Sequence, residues 1–393
     1  MLRANTLQSL FDLPGPVLTV YLNTNEAGAS QGVPAFKPAY LTRLENHIHA
    51  IASTVPSEDQ QSFRTQVERV QSYLLDHPMP YRGTVIFAGP GVWELLPLQV
   101  ETEDEIQWGT PALVQLLWLV AEHRPYGVAL IGRKGAQIFL WRIGELLHLE
   151  AKEFELGESK QKEMGPMARP GVRMSHGINR DVFEHHVSAQ YKRFYGEIAE
   201  RIEHWRTAEH MELLFLVGLS DMVRGVRDEL PTVLQKDVVL VEEDLGWMSR
   251  SEIQKRIAPM VASREQERES KLVNELLSSD RAVTQGIDET LAQLQQGRLR
   301  RIVVSKGFSA DGRQCLKCGQ VNRTADPVCP ACNGERKAAG LRAILPILAR
   351  RHHVAVEIVS GEAARRLQQA EGIGGWFREF EKKEYSSAAS SGI

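Results

Sequence analysis

The sequence predicts a mixed α/β (α+β) fold in three domains, with a cysteine-bearing insert in the third, and three observations carry that prediction. Strand-like apolar runs alternate with segments of helical spacing along most of the chain. The alternation restarts after Arg124 and again around a polar, charge-mixed stretch at 263–279. All four cysteines fall between 315 and 332, where a disulfide framework would spread them more widely.

The first domain is expected over 1–124. Val17 to Leu22 reads as a strand, and the Gly-, Ala- and Pro-rich stretch from Asn25 to Pro38 as a mobile loop. Leu41, Leu44, Ile48 and Ile51 recur at helical spacing, as do Phe63, Val67, Val70 and Leu74, so two amphipathic helices follow. Thr84 to Ala88 and Val92 to Leu98 flank Gly89-Pro90-Gly91, a hairpin signal, and Pro111 to Glu122 reads as a helix opened by proline.

A second domain is expected over 125–248. Gly127 to Ile131, Ala136 to Trp141 and Leu146 to Leu149 read as strands, the short connections favouring antiparallel pairing. The segment from 158 to 180 loses apolar periodicity and gains Gly165, Pro166, Pro170, Gly171 and Gly177, which predicts a long exposed loop. Helical spacing resumes from Asp181 to Trp205, and Leu213 to Val217 and Val238 to Val241 read as buried strands.

The third domain is expected over 249–385, opened by a solvated helix at Ser263 to Ser279. Ile287, Leu291 and Leu294 predict a helix, Arg301 to Ser305 a strand, Leu341 to Arg350 a helix and Val354 to Val359 a strand. The insert occupies 312–336. The tail at 386–393 has too little apolar content to pack and is expected to be disordered.

Hydrophobic residues at 42% and charged ones at 25% are those of a folded globular protein and exclude wholesale disorder. No apolar run is long enough for a membrane span and the start lacks a signal-peptide core, so a cytoplasmic protein without membrane contact is expected. A net charge of −3 leaves basic patches to be sought segment by segment.

Cys315-x-x-Cys318 and Cys329-x-x-Cys332, ten residues apart, suit one tetrahedral Zn²⁺ with four thiolate ligands; redox thiols or an iron site would use the same residues. Gly319 offers easy positive φ after the first pair, and Pro330 stiffens the second. Four protein ligands leave no open position for catalysis.

From Lys160 to Arg180 the loop carries Lys160, Lys162, Arg169, Arg173 and Arg180 against Glu163 alone. Cations on such a segment suit an RNA backbone, the alternative being a solvated surface loop. His176 titrates near neutrality but has no identifiable orienting carboxylate, so contact with RNA is favoured over general-base catalysis. His185-His186 and His352-His353 show no metal-ligand pattern, and Gly372, Gly374 and Gly375 no nucleotide-binding one.

Three passages in fixed order resemble the bacterial branch of the archaeo-eukaryotic release-factor/Pelota family. They are VLTVYLNT at 17–24 with TVIFAGPGVWELLPL at 84–98, YGVALIGRKGAQIFLWRIGEL at 126–146, and QGIDETLAQLQQGRLRRIVVSK at 285–306 with VEIVSGEAARRLQQAEGIGGWFRE at 356–379. The resemblance implies a three-domain release-factor-like architecture: a first domain at the decoding centre, a middle domain reaching the peptidyl-transferase centre, and a third contacting a translational GTPase. It also implies a zinc ribbon in the third domain and places the basic loop against ribosomal RNA, with Lys160, Lys162, Arg169, Arg173, His176, Gly177, Ile178, Asn179 and Arg180 as contacts.

Hydrolytic members of that family end this loop in Gly-Gly-Gln before a long helix. Counting back from Phe194-Tyr195 sets His176-Gly177-Ile178 against that tripeptide, so only the middle glycine matches. The expectation is therefore a Balon-type hibernation factor of stressed cells: a non-catalytic protein, monomeric when free, that occupies the ribosomal A site with the GTPase EF-Tu as implied partner. A rescue factor hydrolysing peptidyl-tRNA and an RNA-binding module acting away from ribosomes remain the alternatives.

Overall fold

The computed structural model describes residues 9–25, 38–77, 79–154, 176–245, 248–279 and 282–378, with backbone alone over 176–187. They fall into two compact units, one of Met1–Gln115 with His123–Ala258 and one of Leu116–Glu122 with Pro259–Ile393. The segments expected as a mobile loop at Asn25 to Pro38 and as a disordered tail at 386–393 lie, apart from Asn25 and Pro38, outside the described residues.

The first unit begins with β1 (Val17–Asn23), α1 (Ala39–Ala52), α2 (Gln60–Asp76), β2 (Gly83–Gly89), β3 (Val92–Leu98) and β4 (Glu105–Gly109). The four strands form an antiparallel sheet in the order β3-β2-β1-β4. Its hairpin turns at Gly91, whose φ of +75° suits glycine. The apolar positions read at helical spacing, including Leu41, Leu44, Phe63, Val67, Val70 and Leu74, pack on Leu18, Val20, Leu22, Ile86 and Ala88. Burial of two helix stripes on one sheet face is what makes this half of the unit cohere.

Helix α3 (Val114–Glu122) straddles the division, its residues Leu116–Glu122 grouping with the second unit. There the Trp118 indole donates to the Arg342 carbonyl at 2.9 Å, the Arg342 guanidinium lies over the Trp118 ring and Glu122 pairs with Lys306.

The first unit continues with β5 (Tyr126–Gly132), β6 (Gly135–Arg142), β7 (Glu145–Glu153), α4 (His176–Glu209), β8 (Leu213–Gly218), α5 (Ser220–Glu229) and β9 (Val238–Val241). The sheet order is β7-β6-β5-β8-β9. Strands β5, β6 and β7 pair antiparallel as their tight connections require, whereas β8 and β9 join parallel through helical crossovers. Gly135 is indispensable to the first turn, because a Cβ there would stand 2.3 Å from the Lys152 carbonyl oxygen. Phe194, Ile198, Ala199 and Ile202 of α4 bury against Ala129, Ile138, Leu214 and Leu216.

The helix expected from Asp181 starts at His176, so the last five residues of the expected loop are helical. Extending a long helix adds a hydrogen bond per residue fixed, and that gain outweighs the roughly 1 kcal/mol propensity cost of Gly177.

Helix α6 (Arg250–Ser278) replaces the shorter solvated helix expected at 263–279. Ile253, Ile257 and Val261 in its first half, and Leu272, Val273 and Leu276 in its second, are buried. The second unit then runs β10 (Val283–Gln285), α7 (Ile287–Gln295), β11 (Leu299–Ser305), β12 (Asp311–Cys315), β13 (Val321–Asn322), β14 (Arg336–Gly340), α8 (Leu341–Arg351), β15 (Ala355–Val359), α9 (Gly361–Leu367) and β16 (Ile373–Phe377). Strands β10-β16-β11-β15 form one sheet, and β13-β12-β14 a separate small one that carries the cysteines. Buried Glu357 on β15 is held by Arg268 at 2.5 Å and Arg301 at 3.0 Å, tying α6 and β11 to that strand. No helix among the described residues is long and apolar enough to cross a membrane.

Candidate functional site

The small sheet exists to hold two turns. Cys315 ends β12 and Cys318 follows it, while Cys329 and Cys332 lie in the connection before β14. In the first turn the Gly319 amide donates to the Cys315 carbonyl at 3.0 Å, and in the second the Asn333 amide donates to the Cys329 carbonyl at 2.9 Å. Gly319 and Asn333 both adopt positive φ, +76° and +54°. The two turns are thus the same device used twice, and asparagine is the side chain that best tolerates the left-handed region. Position 334 has to be glycine, since a Cβ there would meet the Cys315 Sγ at 3.0 Å and the Lys317 Cβ at 2.8 Å.

The four Sγ atoms lie within 4.8 Å of one another. Cys315 and Cys332 are 3.5 Å apart and Cys318 and Cys329 are 3.6 Å apart. Four sulfurs at Zn–S bond length around one ion stand about 3.8 Å apart along each tetrahedral edge, so the donor set fits Zn²⁺. Amides of Lys317 and Cys318 point at the Cys315 Sγ, each at 3.4 Å.

The protons are unevenly held. The Cys318 amide, opposed by burial and aided by the Lys317 amide and neighbouring thiols, lowers the Cys315 thiol to about 6. At Cys318 the Gln320 amide pulls downward, but the thiols of Cys332, Cys315 and Cys329 together with burial outweigh it and push that thiol up to about 12. Four thiols this close cannot all ionise by themselves, whereas a divalent cation displaces their protons.

Arg336 was not legible as part of this centre. It is buried beside it, and its guanidinium donates to Thr324 Oγ1 at 2.8 Å, to the Asp326 carbonyl at 2.9 Å, to the Asn322 and Arg313 carbonyls at 3.2 and 3.3 Å, and to Asn322 Oδ1. Arginine is usually a surface residue, so composition offered no signal for it. Asn333 could have been found, because Cys-x-x-Cys-Asn repeats the Cys-x-x-Cys-Gly of the first turn.

The expected RNA contacts divide in two. Lys160, Lys162, Arg169 and Arg173 lie outside the described residues, while His176, Gly177, Ile178, Asn179 and Arg180 form the first turn of α4. That helix is firmly seated further on. The Tyr191 ring stacks on Phe154 at 4.6 Å, the Trp205 indole donates to Glu150 at 2.8 Å, and the Arg142 guanidinium pairs with buried Glu209 at 3.2 Å. A helix N-terminus also carries partial positive charge, which suits phosphate. His352 lines a groove of the second unit, and Gly374 and Gly375 lie within β16.

Residues 111–260 match the family described as bacterial archaeo-eukaryotic release factor family 10. No curated protein matches the chain. Among solved structures, the chain is similar to archaeal translation termination factor aRF1 at 14% identity, over 95% of this chain and 96% of that one, with a TM-score of 0.24. It is similar to Archaeoglobus fulgidus Pelota at 14% identity, over 75% and 79% of the two chains, with a TM-score of 0.30. For ribosome-bound archaeal Pelota with ABCE1 the values are 14% identity, 96% and 95% coverage and a TM-score of 0.41.

Proposed function

Because residues 111–260 match family 10 of the bacterial archaeo-eukaryotic release factors, we propose that the chain is a translation factor that binds the ribosomal A site without hydrolysing peptidyl-tRNA. The matched region contains the first turn of α4, and Ile178 in that turn carries the reading: counted back from Phe194-Tyr195, it falls where hydrolytic relatives hold glutamine. Ester hydrolysis needs a positioned water and stabilisation of the developing oxyanion, and a branched aliphatic side chain offers neither donor nor acceptor. Occupancy of the A site by such a protein blocks tRNA and nuclease access, which is the action of a Balon-type hibernation factor, with EF-Tu as the delivering or retaining GTPase. The three-domain division at 124 and 248 belongs to the same proposal, the middle domain placing the α4 turn and the 158–180 cations against ribosomal RNA.

Peptide release is the second reading, favoured by the family's description. One experiment separates the two: ribosomes carrying labelled peptidyl-tRNA are saturated with the protein, binding is confirmed by co-sedimentation, and released peptide is counted. Binding without release is expected. Rapid release abolished by Gly177→Ala would establish the hydrolase instead. In the same sedimentation assay binding weakens with salt, and Arg169→Ala/Arg173→Ala/Arg180→Ala weakens it further and flattens the salt dependence. Unchanged affinity and slope would move the interface away from these residues.

A further inference from the structure

The charge of this chain is distributed very unevenly. Residues 298–351 hold 12 Lys and Arg against 3 Asp and Glu, a formal +9 in a protein whose total is −3, which leaves −12 on the rest. This stretch runs from β11 through the cysteine sheet to the end of α8. Even a zinc centre with four thiolates, which subtracts two charges, leaves the segment strongly basic. Concentrated positive charge in an otherwise acidic protein is an electrostatic footprint for a polyanion.

Two of those cations, Arg323 and Arg351, line a groove. The groove, of about 910 Å³, runs between the first cysteine turn and helices α7 and α8. Its floor includes the apolar side chains Leu291, Val321 and Leu348, and its walls carry Arg323, Arg351 and His352. Asp288 is the one carboxylate on the lining, and Arg323 is already faced by Asp288 at 3.5 Å and by Glu371 at 3.3 Å, which leaves Arg351 as the free cation of the groove among the described residues. Arg351 is exposed, and among the described residues its guanidinium has no hydrogen bond or ion pair. Its Nη1 lies 3.6 Å from where a Cβ on Gly319 would stand, which puts the guanidinium against the first cysteine turn.

We propose that this groove binds single-stranded RNA, with Arg351 and Arg323 on phosphates and the apolar floor under unstacked bases. The assignment rests on the ribosome-binding reading for the source of the RNA, and it adds a contact in the second unit distinct from the α4 turn. An extended strand fits better than a duplex, because only unstacked bases present faces to an apolar floor. An acidic peptide would meet the arginines too, but it has no use for a charge excess spread from β11 to α8.

The test uses the full-length, zinc-loaded protein and a fluorescein-labelled 12-nucleotide oligouridine, read by anisotropy over a salt series. Arg351→Ala should weaken binding roughly fivefold and lower the salt slope by about 0.7, and Arg351→Glu should weaken it more than about tenfold. Zinc content and melting temperature should stay at the parent values. Unchanged affinity in Arg351→Glu, or equal binding of a labelled poly-glutamate peptide, overturns the groove assignment. Ribosome co-sedimentation run in parallel keeps the two readings apart. Sedimentation with oligouridine binding indifferent to Arg351 removes the groove and leaves A-site binding standing. Arg351-dependent oligouridine binding without sedimentation does the reverse.

Discussion

Arg336 stands directly opposite Cys315 in the antiparallel ladder of β12 and β14, and both side chains are almost wholly buried. Cross-strand partners share a sheet face, so a buried arginine and a cysteine of the cluster extend from the same face. No carboxylate pairs with it among the described residues, its acceptors all being carbonyl, amide or hydroxyl oxygens. Four thiolates around one Zn²⁺ carry a net charge of −2, opposite in sign to this arginine and in the same small sheet.

Arg336→Met should therefore destabilise the cysteine sheet by about 3 kcal/mol, since it strips several buried acceptors of their donor at once. It should also release zinc to a chelator faster than the parent. Arg336→Lys keeps the charge but loses the fork, so it should recover metal retention more than stability. Chelator competition and denaturant unfolding measured on both variants decide this. Equal retention by Arg336→Met and the parent would remove the electrostatic role.

One tightly bound zinc per chain is expected from metal analysis of the purified protein. Cys315→Ser or Cys329→Ser should lose that metal and unfold the β13-β12-β14 sheet, whose small size gives it little core of its own. The β3-β2-β1-β4 sheet has a separate core and should keep its amide-exchange protection. Zinc content unchanged in both variants would show that the cysteines are not its ligands.

Glu269 gives a pH dependence with a definite sign. Burial raises its carboxyl above the ordinary range, opposed by hydrogen bonds from the Ser360 amide and hydroxyl. A raised value in the folded protein means that Glu269 contributes most below its unfolded value, and that the contribution is lost as pH rises through the folded one. Glu269→Gln keeps an acceptor for Ser360 and cannot ionise, so its melting temperature should fall less than the parent's between pH 4 and pH 7. Parallel melting curves for the two proteins would contradict this.

The sequence by itself determined the apolar strands β1, β2, β5, β8 and β11, the stripes of α1 and α2, and the four cysteines that the fold gathers into one cluster. Each of these is a local signal, a period of two or of 3.6 or a fixed cysteine spacing, and needs no distant partner to be read. It also showed an aliphatic residue, Ile178, in the segment that opens α4. Only the tertiary structure decided that Trp118 meets Arg342, 224 positions away, and so draws the end of α3 into the second unit. The burial of Arg336 and of Glu269 was decided there as well, because the enclosure of a charged side chain depends on which chain segments fold over it and leaves no periodic trace. The groove beside Arg351 is of the same kind: its walls come from α7, the first cysteine turn and α8, and no sequence window contains all three.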